Sequence, residues 1–367
     1  MNETKKPFRD PNAKIKVEFD RAPLGERIKS KYLSLFFAEK VLWYIFRLIL
    51  LIGISYVVLY PFITKIAGSF MSPADFVDVS VMIIPKNFTF DTYAAIFNEL
   101  KYVEAFLNTF MLSITCAVIQ TLVCCMIGYG LAKFKFKGGK YIFLLVILTM
   151  LVPHKTLKFS MFVNFRWFDF RGIIGTILNG SGLVEVPGLF GIIGRIFGAE
   201  EMYGGLNLIN TYFPFILLSL AGIAFKNGLY IFLMRQFFRG VPDELEESAY
   251  IDGSGTFKTF MRIILPLSVP MMITVFLFAF SWQWTDSFYT GFFFSTTKTT
   301  LMPQIVGIPD SLKAASSAAD VVAGQSIYFS AIRNTCGLMI IAPLVIVYVF
   351  CQKFLVQGIE RSGLTAD

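Results

Sequence analysis

Histidine is almost missing from this chain: His154 is the only one in 367 residues. Charged residues make up 16%, where a soluble domain carries about 25%. The five cysteines (Cys116, Cys124, Cys125, Cys336, Cys351) form no C-x-x-C pair and fall in or at the ends of apolar runs. They read as small packing residues rather than a disulfide framework. With one histidine and no cluster of Cys, Asp or Glu beside it, a metal centre has no ligands, and a general acid–base pair is hard to assemble. His154 itself reads as a polar residue at the mouth of a span. Phosphate-binding loops are lacking too. No G-x-x-x-x-G-K-[ST] occurs, and "GGKY" at Gly138–Tyr141 has neither the upstream glycine nor the hydroxyl that nucleotide binding needs. Gly188, Gly191 and Gly194 repeat every third residue, without the strand–turn–helix setting of a pyrophosphate site. No G-x-S-x-G elbow is present. The chain reads as no enzyme. It is expected to bind no cofactor of its own, and any energy from ATP would have to come from a partner.

What the chain has instead is apolar length. Hydrophobic residues are 55%, aromatics 16%, and the mean hydropathy is +0.64. The apolar runs are continuous rather than alternating, which favours a helix bundle over a barrel. A span needs roughly 20 apolar residues, and six runs qualify: 41–66, 106–131, 141–162, 212–237, 263–285 and 331–351. The fold expected is therefore all-α, a polytopic membrane bundle of six transmembrane helices. An even number puts both termini on one side. With the N-terminus inside, inner segments hold 20 Lys and Arg and outer segments ten, and the "AKFKFKGGK" turn at Ala132–Lys140 is the clearest single contribution. Lys and Arg excess marks the cytoplasmic face. The net charge of +8 then reports topology rather than nucleic-acid binding, and both termini are expected in the cytoplasm. Residues 1–40 read as a polar cytoplasmic tail, 358–367 as a second one, and 41–357 as the transmembrane region. The apolar core starting at Val41 begins too late and runs too long for a cleaved signal.

One polar island interrupts this pattern. Pro242 and Asp243 suit a helix start, with Glu246 placed to complete a capping box. Glu244, Glu246 and Glu247 set negative charge at the positive end of the helix dipole. Leu245, Ala249 and Asp252 share a face. Gly253 supplies the left-handed residue that ends a helix. Phe257, Phe260, Met261 and Ile264 then follow as one apolar stripe, before Pro266 is expected to kink the chain as it enters the fifth span. From residues alone this is either a helix–turn–helix resting on the membrane or a short helix whose small face meets another surface.

The spacing Glu247-Ser248-Ala249, Gly253, Ile263, Leu265-Pro266 resembles the E-A-A…G…I-x-L-P loop of the membrane subunits of bacterial ABC importers, with serine in place of one alanine. "FLMRQFFRGVPDELEESAYIDG" (Phe232–Gly253), "FLNTF" (Phe106–Phe110), "WQWTDSF" (Trp282–Phe288) and "QGIERSGL" (Gln357–Leu364) are similar to the carbohydrate-uptake branch related to the maltose permease. The resemblance covers roughly 41–165 and 206–367. It implies that loop 238–262 carries a cytoplasmic coupling helix, and that Glu247, Ser248, Ala249, Asp252, Gly253, Ile263, Leu265 and Pro266 couple to an ATPase. It also implies a bacterial inner-membrane location, a second homologous permease, two ATPase subunits that use ATP and Mg, an extracellular solute-binding protein and a sugar substrate. The segment Arg166–Gly205 departs from the family pattern. It is glycine-rich, its apolar runs are too short to span, and it reads as an extracytoplasmic insertion that contacts the binding protein or seals the outer mouth.

The sequence does not name the solute. Trp282, Trp284 and Tyr289 could stack on sugar faces, with Asp286 as a hydrogen-bond acceptor, although aromatics near span ends also serve as interface anchors. Lys226, midway along the fourth run, is expected to face the translocation path or another polar group, because lysine in lipid costs about 2.5–3.5 kcal/mol. The alternative function is an ion- or proton-coupled secondary transporter, for which Lys226, Arg47 and Arg333 would be the intramembrane charges. No internal repeat supports it.

Overall fold

The computed structural model describes residues 35–166, 168, 200–202, 205–294, 301–318 and 324–361. The N-terminal tail, most of the expected insertion 166–205 and the last six residues lie outside the described residues. The chain forms two compact units, Met1–Thr64 and Lys65–Asp367.

In the first unit the described residues belong to one helix, α1 (Leu35–Gly68), whose last turn runs into the second unit. It is apolar around its whole circumference, as a lipid-exposed span should be. Pro61 lies inside it.

Among the described residues, the second unit is mainly helical; one short ladder pairs β1 (Glu200–Met202) antiparallel with β2 (Gly205–Asn207), and isolated bridges join Met71 to Phe88 and Phe168 to Leu206. This small hairpin is an addition to the all-α expectation. After α2 (Asp91–Glu99), α3 (Tyr102–Lys133) forms the centre of the bundle. It packs against α6 (Phe213–Leu220), α7 (Asn227–Arg239) and α9 (Thr256–Trp284), and α9 also packs against α12 (Gln325–Arg361). Trp284, Tyr230, Phe238, Met234, Ile264 and Met271 form the heart of this core. Two glycines set its helix spacings. A Cβ on Gly128 would lie 2.6 Å from the Met234 Cβ, and one on Gly228 would lie 2.7 Å from Thr149 Oγ1.

Continuous spans number fewer than expected. Among the described residues four helices are long and apolar enough to cross a bilayer: Glu39–Gly68, Tyr102–Lys133, Thr256–Trp284 and Gln325–Gln357. The expected third span is bent by 93° between α4 (Gly139–Leu151) and a short 3-10 turn that leads into α5 (Lys158–Arg166). Pro153 causes the bend. It holds Val152 in extended geometry (ψ 121°) and offers no N–H to continue the ladder.

The expected fourth span, 212–237, is not one helix. α6 stops at Leu220 and α7 starts at Asn227. Gly222 (φ +70°) closes α6 in a Schellman motif, with the Ile223 N–H on Leu218 O (3.1 Å) and the Gly222 N–H on Ser219 O (3.2 Å). Lys226 also has φ +70° and opens α7. At 1.5 Å per residue neither piece reaches across a hydrocarbon core of about 30 Å.

At one end of the bundle, α2, α11 (Asp310–Ala318) and the start of α12 gather around buried Ile96, Leu312, Tyr328 and Ile332. At the other end lie the C-terminus of α3 and the loop carrying α8 (Glu244–Ile251). The four cysteines Cys116, Cys124, Cys125 and Cys336 are buried and free, and Cys351 is half-buried and free.

Candidate functional site

Irregular backbone at membrane depth is tolerated where it is buried in protein or lines a cavity. The break Ala221–Lys226 meets that condition. Ala224 borders two cavities. One, with room for about one water, is lined by Gln120, Phe225, Trp282, Gln283, Asp286 and Tyr289. The other, of about 120 Å³, is lined by Thr149, His154, Lys226 and Gly228.

The Lys226 ammonium sits 4.9 Å from the ring centroids of both Phe225 and Trp282, a cation–π arrangement. Phe225 meets Trp282 edge-on at 5.4 Å and the His154 ring at 4.8 Å. His154 Nδ1 and the Tyr289 hydroxyl are 2.6 Å apart and share a hydrogen bond. A helix break thus brings Lys226 to Trp282, Asp286 and Tyr289, which are neighbours of one another but more than fifty positions further along the chain.

Trp284 is not with them. It is fully buried, donates its indole N–H to Ile340 O (2.8 Å), and packs on Phe106 and Phe280. No face is left for a sugar, so its sequence-based role as a stacking residue is corrected to a core role. The two tryptophans are two residues apart and point to different sides of α9. Asp286 has work of its own. Its carboxylate accepts the Tyr289 N–H (3.2 Å) and the Thr290 N–H (3.0 Å), closing the turn into α10 (Phe288–Phe293). Burial pushes its carboxyl above the usual aspartate range, while those N–H bonds pull it back. His154, Phe225, Gln120 and Gln283 were missed. A lone histidine has no sequence partner, and Tyr289 lies 135 positions away.

The polar island is a second functional surface. α8 ends in a Schellman motif: Gly253 has φ +78°, its N–H bonds Tyr250 O, and the Ser254 N–H bonds Ala249 O. The expected positive φ at Gly253 is present. The expected capping box is not. Asp243 makes no cap bond, and Glu246 is 8% exposed. Both carboxylates turn to Lys133 at the end of α3 instead. Lys133 Nζ donates to the Asp243 carboxylate and to Val241 O (2.7 Å), and lies 3.8 Å from Glu246 Oε1. The Lys133 hydrogen bond holds the Asp243 carboxyl below its ordinary value, whereas burial raises that of Glu246.

The apolar stripe also divides. Phe260 and Ile264 are buried, while Phe257 is 77% exposed and Met261 is exposed. On α8 only Ala249 and Glu246 turn inward. Glu247, Ser248, Asp252 and Gly253 are exposed, as are Leu245, Tyr250 and Ile251, the last at 86%. Ile263 and Leu265 are half-buried, and Pro266 is exposed at the start of the regular helix. The disturbance at Pro266 takes the form of a π-helical turn at Phe260–Ile264, which accommodates the missing N–H without ending α9. The loop therefore presents isolated apolar side chains on a charged rim, anchored from behind by Lys133.

Residues 125–361 match the family of binding-protein-dependent transport system inner membrane components. The chain belongs to that family. It is 26% identical over 322 residues to the galactooligosaccharides transport system permease protein GanQ of Bacillus subtilis (strain 168), covering 87% of this chain and 94% of that one. It is likewise 26% identical to the maltodextrin transport system permease protein MalD of Streptococcus pneumoniae, covering 85% of this chain and 92% of that one. The fold agrees with that of a chain from a bacterial ABC transporter involved in the import of the acidic polysaccharide alginate. The TM-score is 0.60 at 19% identity, covering 86% of this chain and 97% of that one. The matched residues include both the α6–α7 break and the polar island.

Proposed function

We propose that the chain is a permease subunit of an ATP-driven, binding-protein-dependent importer of a sugar or oligosaccharide, working beside a second permease, two ATPase subunits and an extracellular solute-binding protein. The observation that carries this reading is the island. A short helix is closed by a left-handed glycine, tied to α3 through Lys133, and presents Ile251 and Phe257 bare to water. Apolar anchors on a charged rim suit helix-in-groove docking, which supports assigning Glu247, Ser248, Asp252 and Gly253 to the contact with the ATPase. Ala249, Ile263, Leu265 and Pro266 set the geometry behind it.

The mechanism is alternating access. ATP and Mg act in the partner ATPase, the docked helix moves with it, and the motion passes through Lys133 and the π turn into α3 and α9. The broken segment Ala221–Lys226 forms part of the path, with Lys226, Trp282, Asp286 and Tyr289 beside it. Both termini lie in the cytoplasm, on the side of the basic turn Lys133–Lys140. The sugar class is supported by the relatives' substrates.

The test is ATP hydrolysis by the assembled complex in proteoliposomes. Solute-loaded binding protein should stimulate hydrolysis, and an ion gradient should not drive uptake. Uptake that follows the gradient without ATP would establish the secondary-transporter alternative instead.

A further inference from the structure

The turn between α3 and α4 carries four lysines, and they are not equivalent. Lys133 is 7% exposed and taken up by Asp243, Glu246 and Val241 O. Lys135, Lys137 and Lys140 are exposed and make no ion pair among the described residues. They line an open cleft of about 500 Å³ together with Arg235, Phe134 and Phe136, and no carboxylate lines it. Asp243 feels the charge of Lys135 but is already hydrogen-bonded to Lys133.

Two further features fit an anion. The cleft lies at the N-terminus of α4, capped by Gly138 (φ +100°), and so at the positive end of that helix's dipole; the Gly139 and Tyr141 N–H groups are already bonded to Phe136 O and Gly138 O. Arg235 is held in place, its guanidinium 3.8 Å above the Phe143 ring and its Nε donating to Leu131 O (3.3 Å), so it adds fixed positive charge at the wall. Phe134 and Phe136 are about half exposed at the mouth. Rings beside cations at the end of an apolar helix suit the level of lipid headgroups. Solvated topology lysines would need neither a cleft nor a fixed arginine.

We infer that this cleft binds the phosphodiester headgroup of an anionic phospholipid from the inner leaflet. The inference rests on the orientation proposed above. Basic pockets between transmembrane helices on the cytoplasmic side are suited to such headgroups. A bound lipid would bridge the α3–α4 turn and α7, the helix that leads directly into α8.

The full-length chain, purified in detergent, is titrated with phosphatidylglycerol or phosphatidylcholine and lipid retention is read by native mass spectrometry. The wild type should prefer phosphatidylglycerol. The triple variant Lys135→Gln, Lys137→Gln, Lys140→Gln should bind it at least about tenfold more weakly, from the loss of three surface cations. Lys140→Gln alone should fall between, which guards against a triple variant that misfolds. Lys155→Gln with Lys158→Gln, elsewhere on the chain, should match wild type. Unchanged phosphatidylglycerol retention in the triple variant overturns the inference. So does displacement of the lipid by inorganic phosphate at comparable concentration, which makes this a free-anion site. Lipid retention does not depend on transport, so a chain that keeps this preference yet gives no stimulated ATP hydrolysis refutes the importer reading and leaves the cleft standing.

Discussion

Lys226 joins two costs at one residue. A non-glycine side chain in the left-handed region costs about 1–2 kcal/mol, and a cation at membrane depth costs more. The φ of +70° shows the first, and the ammonium lies over the rings of Trp282 and Phe225. Lys226→Leu should assemble but lose most uptake. Lys226→Gly separates the two terms, because it relieves the backbone while removing the charge. If the cation matters for the path, the glycine variant also fails in transport although it folds at least as stably. Normal uptake by Lys226→Gly would assign the lysine to the turn alone.

Lys133 presents the opposite case, a buried cation with two carboxylates. Lys133→Met leaves Glu246 buried without its counter-charge, and breaking such a pair costs roughly 3–5 kcal/mol at full burial. The expected outcome is local loosening of the α8 loop, read as faster proteolysis between Val241 and Gly253. Adding Glu246→Gln should restore much of the protection. If the double variant is as labile as the single one, the Glu246 pair is not what anchors the loop.

At the scale of elements, α8 and the first turns of α9 form a surface more than a core. Ile251→Asp and Phe257→Asp touch side chains that are mostly exposed. Membrane insertion should be unchanged, and co-purification of the ATPase should fall about tenfold or more, as for loss of a docking anchor. Gly253→Leu acts through the backbone instead. Open space surrounds its Cβ position, so the penalty is the strained φ of +78°, about 1–2 kcal/mol. That should shift or fray the end of α8 and reduce stimulated ATP hydrolysis while the protein still inserts. Glu247→Lys should weaken α8 from its other end, by reversing charge in the first helical turn. Wild-type hydrolysis in all four variants would remove the docking assignment.

Helix spacing is the other element-scale feature. Gly228→Val would drive a branched side chain into Thr149, Met150 and the Val146 carbonyl. α4 and α7 would have to part, at a cost of roughly 1–3 kcal/mol for overpacking, read as a lower melting temperature in detergent. A variant as stable as wild type would show that α4 is free to move away.

For the whole molecule, sidedness is the open question that decides the mechanism. In a background without native cysteines, Val79→Cys should react with an impermeant thiol reagent in intact cells, since Val79 is 96% exposed in the segment between α1 and α2. Ile251→Cys should react only after permeabilisation. The reverse pattern would invert the proposed topology, and with it the lipid leaflet at the α3–α4 turn.

Much of this protein was legible in its residues. Long apolar runs required membrane helices. The island's spacing announced both the Gly253 turn and the family, because a left-handed turn needs glycine and a docking helix needs small residues at fixed intervals. Sequence alone did not decide how the helices break. Window hydropathy averages over "AGIAFKNG", so Gly222 and Lys226 vanish into an apolar run, although one closes a helix and the other opens the next. Nor did it decide partnership. Asp243 and Glu246 read as local caps, yet a lysine 110 positions earlier takes them both, because a buried cation gains more from two carboxylates than a solvated helix end does from one. Trp282 and Trp284 looked alike at a spacing of two. Only the packing of α9 between α3 and α12 sends one to the cavity and the other to the core, since helical residues two apart face different neighbours.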